Sequence, residues 1–145
     1  MWMKPIRRQW MIDPRTDARL RYDAVMKSVD INEKLSLFDD HWSPRIIAEV
    51  NDQEVKLAKF EGAFEWHSHA DADELFLVLS GSFVMEFRDR SVRIEKGQMI
   101  VVPKGVEHRP VADEGGCSVL LVEPKGLVNT GDGKTSERST TGTWI

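Results

Sequence analysis

The chain has 145 residues, about the size of one ordinary domain. Charged residues make up 30% and hydrophobic residues 41%, a balance typical of a folded globular protein and not of a disordered chain. The net charge of -4 argues against a dedicated nucleic-acid binder. Apolar runs such as residues 75–79 are far shorter than the ~20 residues of a membrane-spanning helix, so we expect no membrane span.

Cysteine usage and the first residues bear on location. Cys117 is the one cysteine of the chain, which excludes an internal disulfide and fits a reducing compartment. Residues 1–25 mix Arg with Asp and lack the apolar core of a secretory signal. We therefore expect a cytoplasmic protein.

The first 44 residues are interpreted as an extension followed by a short helix. Residues 1–25 show no clear hydrophobic period, and we expect a flexible N-terminal extension. Asp30 and Glu33 have the spacing of a helix N-cap and capping box. They predict a short helix at about residues 31–38, and Pro44 ends this region.

From Arg45 onward the hydrophobic period changes to that of strands. Within residues 54–61 the alternation gives two faces, one with Val55, Leu57 and Lys59 and one with Lys56, Ala58 and Phe60. The predicted strands are 45–51, 54–61, 74–79, 83–87, 92–95, 99–102 and 119–123.

Turn signals rich in Gly, Pro and Asp separate these runs. They lie at residues 51–52, 80–82, 89–90, 96–97, 103–105 and 113–116. Short strands with regular turns predict an all-β sandwich or barrel.

The last residues, 129–145, are polar and rich in Gly, Ser and Thr. Two interpretations remain open. One is a flexible polar tail. The other is a strap that lies across the barrel or a partner subunit, with Trp144 as its anchor.

Three of the four histidines fall in two clusters. In the first, His67 and His69 are two residues apart and would share one face of a strand. Glu74 follows at the start of an apolar run, where a buried carboxylate needs a partner such as a metal ion. In the second cluster, a Pro-x-Gly turn at 103–105 directs His108 back toward the preceding strand.

Together the two clusters resemble the two motifs of the cupin family. The first motif is His-x-His, then three or four residues, Glu, six residues and Gly, and it is matched by His67, His69, Glu74 and Gly81. The second is Gly, five residues, Pro-x-Gly, two residues and His, and it is matched by Gly97, Pro103, Gly105 and His108. Two departures, at Gly62 and Ala112, fall on positions that are not metal ligands in the family.

The resemblance covers roughly residues 45–124 and implies an all-β fold, a single jelly-roll barrel preceded by the short helix. Residues 26–128 would form the cupin domain, between the extension 1–25 and the tail 129–145. The barrel would hold one divalent transition metal (Fe, Mn, Ni, Zn or Cu), with room at the ion for water, oxygen or substrate. The implied ligands are His67, His69, Glu74 and His108.

Other side chains are weaker candidates for the site. Phe83 and Met85 alternate along one strand and could line the cavity, and Trp66 could form a wall beside the first ligand. An anionic substrate group could bind Arg45, Lys59 or Arg109. We expect His41 to be structural or at the surface and Cys117 to be an inert thiol.

The resemblance implies a metal-dependent enzyme on a small polar molecule, and dioxygenase chemistry is favoured. One alternative is a sugar-phosphate isomerase similar to mannose-6-phosphate isomerase, although the sequence has no Gly-rich phosphate loop. Another is a non-catalytic module that binds a small ligand or a metal. We expect a small-molecule ligand and a homodimer, with neither nucleic acid nor a membrane as partner.

Overall fold

The alternating pattern that begins at Arg45 folds as an antiparallel, rolled sheet in the computed structural model, which describes residues 26–145. The predicted N-terminal extension, residues 1–25, lies outside the described residues. The described elements are α1 (Ile31–Leu35), β1 (Arg45–Val50), β2 (Gln53–Ala63), β3 (Glu74–Ser80), β4 (Ser82–Phe87), β5 (Ser91–Glu95), β6 (Met99–Val102), β7 (His108–Pro124) and β8 (Thr143–Trp144).

Strand β7 is the centre of the roll. It pairs with β2 along most of its length, with β4 through its first residues and with β3 through its last residues. Strand β5 pairs with β4, and β6 pairs with β3. One long strand thus joins both sides of the roll, and the prediction of a single all-β jelly roll is confirmed.

The predicted turn at residues 113–116 is wrong, because β7 runs through it without a reversal. Phe60 pairs with Cys117 and Gly62 with Ala112, so residues 113–116 face Glu61 alone across the ladder. Gly115 and Gly116 have φ values of 94° and 68°. A positive φ is found in β-bulges as well as in turns. Here the two glycines belong to a β-bulge within the strand.

The helix forms as predicted at its start but ends earlier. The Asp30 side chain accepts the backbone N–H of Glu33, which is the predicted N-cap, and Ser36 closes the helix after Leu35. Phe38 then packs with Ile47 and Leu57 on the outer face of the sheet. The helix segment therefore covers its own barrel.

Residues 129–145, from here on the C-terminal strap, lie against the barrel. Their last residues pair with β1 in parallel, with Thr143 beside Arg45 and Trp144 beside Ile46. The sequence predicts Trp144 as the anchor of such a strap, but Trp144 is 44% exposed. Ile145 packs against the outer apolar cluster instead.

The interior holds an apolar core and a set of buried polar groups. The main apolar core contains Phe60, Phe76, Phe83, Met85 and Val119. The polar groups buried near it include the histidine and carboxylate clusters described next. None of the helices within residues 26–145 is long and apolar enough to cross a membrane.

Candidate metal centre

The two histidine clusters meet through their backbones. His67 and His108 exchange N–H to carbonyl bonds of 3.0 and 2.9 Å, which form an isolated antiparallel bridge. The Gly105 N–H donates to the His69 carbonyl at 2.7 Å. The Pro-x-Gly turn therefore docks on the His-x-His segment, which itself lies between β2 and β3 and not on a regular strand.

The four predicted ligand side chains lie close together inside the barrel. His67, His69, Glu74 and His108 are each between 1% and 3% exposed. The His67 ring lies 5.2 Å from the His69 ring and 4.3 Å from the His108 ring, between centroids. Glu74 starts β3 and shares its inward face with Phe76.

Glu74 lies between two imidazoles. Its Oε1 is 3.3 Å from His69 Nε2, and its Oε2 is 3.1 Å from His108 Nε2. Ligand atoms of His67, Glu74 and His108 all lie within 4.8 Å of one another. His69 is next to this group but not within that distance of all its members.

Hydrogen bonds fix the rings of His67 and His108. Nδ1 of each ring lies 2.9 Å from a backbone carbonyl two residues earlier, that of Glu65 and that of Val106 respectively. A carbonyl only accepts, so Nδ1 carries the hydrogen and the Nε2 of a neutral ring keeps its lone pair.

Charge and burial set opposite protonation preferences within the cluster. Burial, with a contribution from His108, lowers the pKa of His67 to about 4, so this ring is neutral near pH 7. Burial also opposes charge on His69, but Glu74 outweighs it and raises the pKa of that ring. Burial would raise the pKa of Glu74, yet His108 and His69 hold it far below its usual range.

Several of these polar atoms lack hydrogen-bond partners. Among the described residues, Glu74 Oε2, His108 Nε2 and both ring nitrogens of His69 are buried without one. Unpaired buried lone pairs are costly unless a ligand satisfies them. Imidazole and carboxylate donors in this arrangement fit a divalent transition metal.

A second buried polar cluster lies beside the first and was missed from the sequence. Lys56 is 1% exposed, and its Nζ lies 2.8 Å from Glu123 Oε1 and 3.1 Å from Glu54 Oε2. Burial and the neighbouring Glu74 raise the pKa of Glu123 to about 8, against the opposing effect of Lys56. The signal was present in the alternation of β2, which places Lys56 on the same face as Ala58 and Phe60.

A small cavity adjoins both clusters. Its volume is about 30 Å³, far below the roughly 300–1,000 Å³ of a typical small-molecule site. The walls are mostly aromatic and apolar, with polar atoms from a few residues. The polar lining residues are His67, Glu74, Glu123 and Asn129.

The predicted substrate-binding residues do not line this cavity. Phe83 and Met85 are fully buried in the apolar core, where Phe83 packs edge-on against Phe60. Both side chains pack in the apolar core against residues that line the cavity, and they support those residues without lining the cavity themselves.

The three cations predicted to contact a substrate each engage another group in this structure, and their role in substrate binding stays a prediction. Arg45 pairs with Asp40 at 2.7 Å, and Lys59 donates to the carbonyls of Leu35 and Phe38 on the outer face. Arg109 pairs with Glu86 at 2.6 Å. Trp66 is stacked under Arg88, with 3.8 Å from the guanidinium carbon to the ring centroid, and thus belongs to an outer surface.

The remaining histidine and the cysteine lie apart from the metal-binding candidates. His41 is partly exposed, with its Nδ1 3.5 Å from Glu61. Cys117 is buried, and burial raises the pKa of its thiol to about 12. A thiol with that pKa is almost entirely protonated at neutral pH, as an inert cysteine would be.

Comparison with known proteins gives one family. A family model described as Cupin domain matches residues 50–123. Among solved structures, a cupin-2 domain containing protein from Shewanella frigidimarina is 51% identical with a TM-score of 0.65, and the match covers 66% of this chain and 93% of that chain.

Two curated relatives match shorter stretches. Protein YdbB of Bacillus subtilis is 45% identical over 64 residues, which is 43% of this chain and 57% of that protein. Acireductone dioxygenase of Gallus gallus is 38% identical over 61 residues, which is 39% of this chain and 33% of that protein. The chain thus spans little more than half of one curated relative and a third of the other.

Proposed function

Because the chain belongs to the cupin family and gathers imidazoles and a carboxylate in one buried cluster, we propose that it is a metal-dependent dioxygenase acting on a small polar molecule. The observation that carries the proposal is the group His67, Glu74 and His108, whose ligand atoms lie within 4.8 Å of one another. Two histidines and one carboxylate with open positions are the donor set of non-haem iron oxygenases.

The ligands of the proposed site are His67, His69, Glu74 and His108. A divalent transition metal bound there would supply open coordination positions at which a chelating substrate and oxygen can meet. His67 and His108 present their Nε2 lone pairs because their Nδ1 atoms are tied to carbonyls. His69 adds a ring whose two nitrogens make no hydrogen bond within the described residues and whose Nε2 faces Glu74.

The rest of the chain shapes the surroundings of the ligands. Phe60, Phe64 and Phe76 give the cavity aromatic walls, which limit the water around the ligands. The Glu123 carboxyl accepts a hydrogen bond from Lys56 at the cavity wall, and burial raises its pKa. At about 30 Å³ the cavity is small for a substrate, so we expect its wall to move when a substrate enters.

The match to acireductone dioxygenase supports oxygen chemistry and suggests a substrate class. We propose a small molecule with adjacent oxygen atoms, such as an enediol, which can chelate a metal. The isomerase alternative finds less support, because neither Lys nor Arg is among the described residues that line the cavity. A non-catalytic metal-binding module is the outcome if metal binds and oxygen is never consumed.

Metal binding is tested first with purified protein and two matched sets of variants. We expect wild type to bind close to one Fe²⁺ or Co²⁺ per chain, by metal analysis and titration. The double variant His67→Ala/His69→Ala should lose the metal, and His108→Ala should bind at least tenfold more weakly. His41→Ala removes a histidine outside the cluster and should bind like wild type. Full occupancy in the double variant would refute the ligand assignment.

Oxygen chemistry is tested on the Fe²⁺ protein. Oxygen uptake is recorded with an acireductone, catechols, thiols and β-diketones, and ¹⁸O₂ is used to follow both oxygen atoms into the product. A dioxygenase should place both labelled atoms in the product, and His108→Ala should abolish uptake. Uptake by no substrate, with metal bound, would favour the non-catalytic module.

The cytoplasmic location and the homodimer stay predictions. Light scattering at high protein concentration measures the oligomeric state, and a monomer there would contradict the homodimer.

A further inference from the structure

The C-terminal strap lies outside the residues that match the family domain, yet it contacts the candidate metal centre. We infer that Gly131 and Asp132 are positioning residues that hold the His67–His69 segment in the geometry needed to bind the metal. This inference rests on the proposed metal site and adds to it a component from the strap.

Asp132 holds the backbone on both sides of His69. Its N–H donates to the Ser68 carbonyl at 3.1 Å, and its Oδ2 accepts the Ala70 N–H at 2.7 Å. With the Gly105 N–H on the His69 carbonyl, three hydrogen bonds fix this short stretch of chain.

The backbone matters more for His69 than for the other two histidines. The rings of His67 and His108 are oriented by bonds from Nδ1 to carbonyls. Neither ring nitrogen of His69 has a hydrogen-bond partner among the described residues. Apart from the 3.3 Å contact between its Nε2 and Glu74 Oε1, the direction of the His69 ring therefore depends on its backbone and packing, and Asp132 holds that backbone.

Gly131 brings the strap against His67 without a gap. A Cβ at this position would lie 2.7 Å from the Ser68 carbonyl oxygen and 2.8 Å from His67 Cβ. Both distances are too short for a real side chain, and φ at Gly131 is 88°, a value that favours glycine. Any side chain here must push the strap and the His67 backbone apart.

Further contacts hold the strap as one body on the segment before His67. Lys134 donates to the Trp66 carbonyl, Ser136 to the Glu65 carboxylate and Arg138 to the Ala63 carbonyl. Thr130 is fully buried and bonded to Ser139. A change at Gly131 is thus transmitted to the site and not absorbed by a loose tail.

The first test compares Gly131→Ala with Gly133→Ala. Gly133 lies in the same strap, also has a positive φ (68°), and has open space where a Cβ would be, so it matches the backbone strain without the contact. We expect Gly131→Ala to bind Co²⁺ about 10- to 100-fold more weakly, the range for lost support of metal ligands. It should also change the visible spectrum of bound Co²⁺, and Gly133→Ala should do neither.

The second test keeps the inference falsifiable if Gly131→Ala fails to fold. Asp132→Ala removes the acceptor of the Ala70 N–H and should weaken Co²⁺ binding and alter its spectrum. Asp132→Asn keeps an acceptor oxygen and should restore both. Circular dichroism of the metal-free variants confirms that the fold is retained.

The outcomes separate this inference from the function on which it rests. If wild type binds no Co²⁺, the metal site and the positioning role both fail. If wild type binds Co²⁺ and the folded Gly131→Ala and Asp132→Ala variants bind it equally well with the same spectrum, the positioning role alone is overturned.

Discussion

Lys56 is a fully buried lysine whose ammonium joins three parts of the chain. Its Nζ contacts Glu54, Glu123 and the carbonyl of Thr141 in the strap. Glu123 in turn faces Glu74, so the ammonium lies one side chain away from the candidate ligands. A cation at this place balances carboxylates that could not otherwise remain buried.

Replacing Lys56 by Met should be strongly destabilising. The change keeps most of the volume but leaves the Glu54 and Glu123 carboxyls without the ammonium they share, a loss of about 3–5 kcal/mol for a broken buried pair. Urea denaturation of the metal-free protein measures it. Lys59→Met, on the outer face of the same strand, is the control and should cost much less. Equal stability of the two variants would contradict the account.

Residue spacing was sufficient to find the candidate ligands but not this network. His67, His69, Glu74 and His108 stand at distinctive intervals, and the structure brings them together. Lysine and glutamate in a strand usually indicate a solvated face. Only the neighbours of Lys56 on its face, Ala58 and Phe60, indicated the interior, and its partner Glu123 is distant in sequence.

At the scale of elements, the bulge in β7 joins the two sides of the roll. Gly116 approaches β2 so closely that a Cβ would lie 2.6 Å from the Phe60 carbonyl oxygen. Gly81, after β3, approaches the Gly116 carbonyl in the same way, at 2.5 Å. The motif glycine at position 81 is thus explained by close backbone packing.

Gly116→Ala should therefore destabilise the fold more than Gly115→Ala. Both residues have positive φ, so both variants lose about 1–2 kcal/mol to backbone strain. A Cβ on Gly115 meets open space, whereas one on Gly116 meets backbone and should cost a further ~1–3 kcal/mol. Midpoints of urea denaturation for the two variants measure the difference, and indistinguishable midpoints would contradict the packing argument.

Helices, strands and turns could be predicted where the signal in the local sequence is strong. The N-cap of α1 was readable because Asp30 and Glu33 act within one turn. The strands were readable because alternation reports which face is buried. The bulge is not distinguishable from a turn in the sequence, because a glycine pair indicates positive φ without saying whether the chain reverses.

At the scale of the whole molecule, the strap and the barrel form one unit around the polar cluster. The sequence of residues 129–145 does not distinguish a flexible tail from a strap, since a run of Gly, Ser and Thr is typical of both. What holds the strap is hydrogen bonding by its backbone and polar side chains, as at Asp132 and Lys134, and the close approach of Gly131. Neither leaves a hydrophobic period in the sequence.

A metal bound at the cluster would tie together elements far apart in the chain, so it should stabilise the whole fold. The ligands come from the segment before β3, from β3 itself and from the start of β7. Free metal at 100 times Kd stabilises a folded protein by about 2.7 kcal/mol, which for a chain of this size raises the Tm by roughly 5–10 °C. We expect calorimetry with Co²⁺ to show this rise for wild type and for His41→Ala.

The rise should vanish on adding a chelator and should fall to about half or less in His108→Ala, whose Tm without metal serves as its own reference. His108→Ala removes one ligand at the first residue of β7, so the ion would no longer link that strand to Glu74 on β3. An equal rise in His108→Ala would mean that the stabilising metal binds elsewhere on the chain, and the link between the two strands would not be its cause.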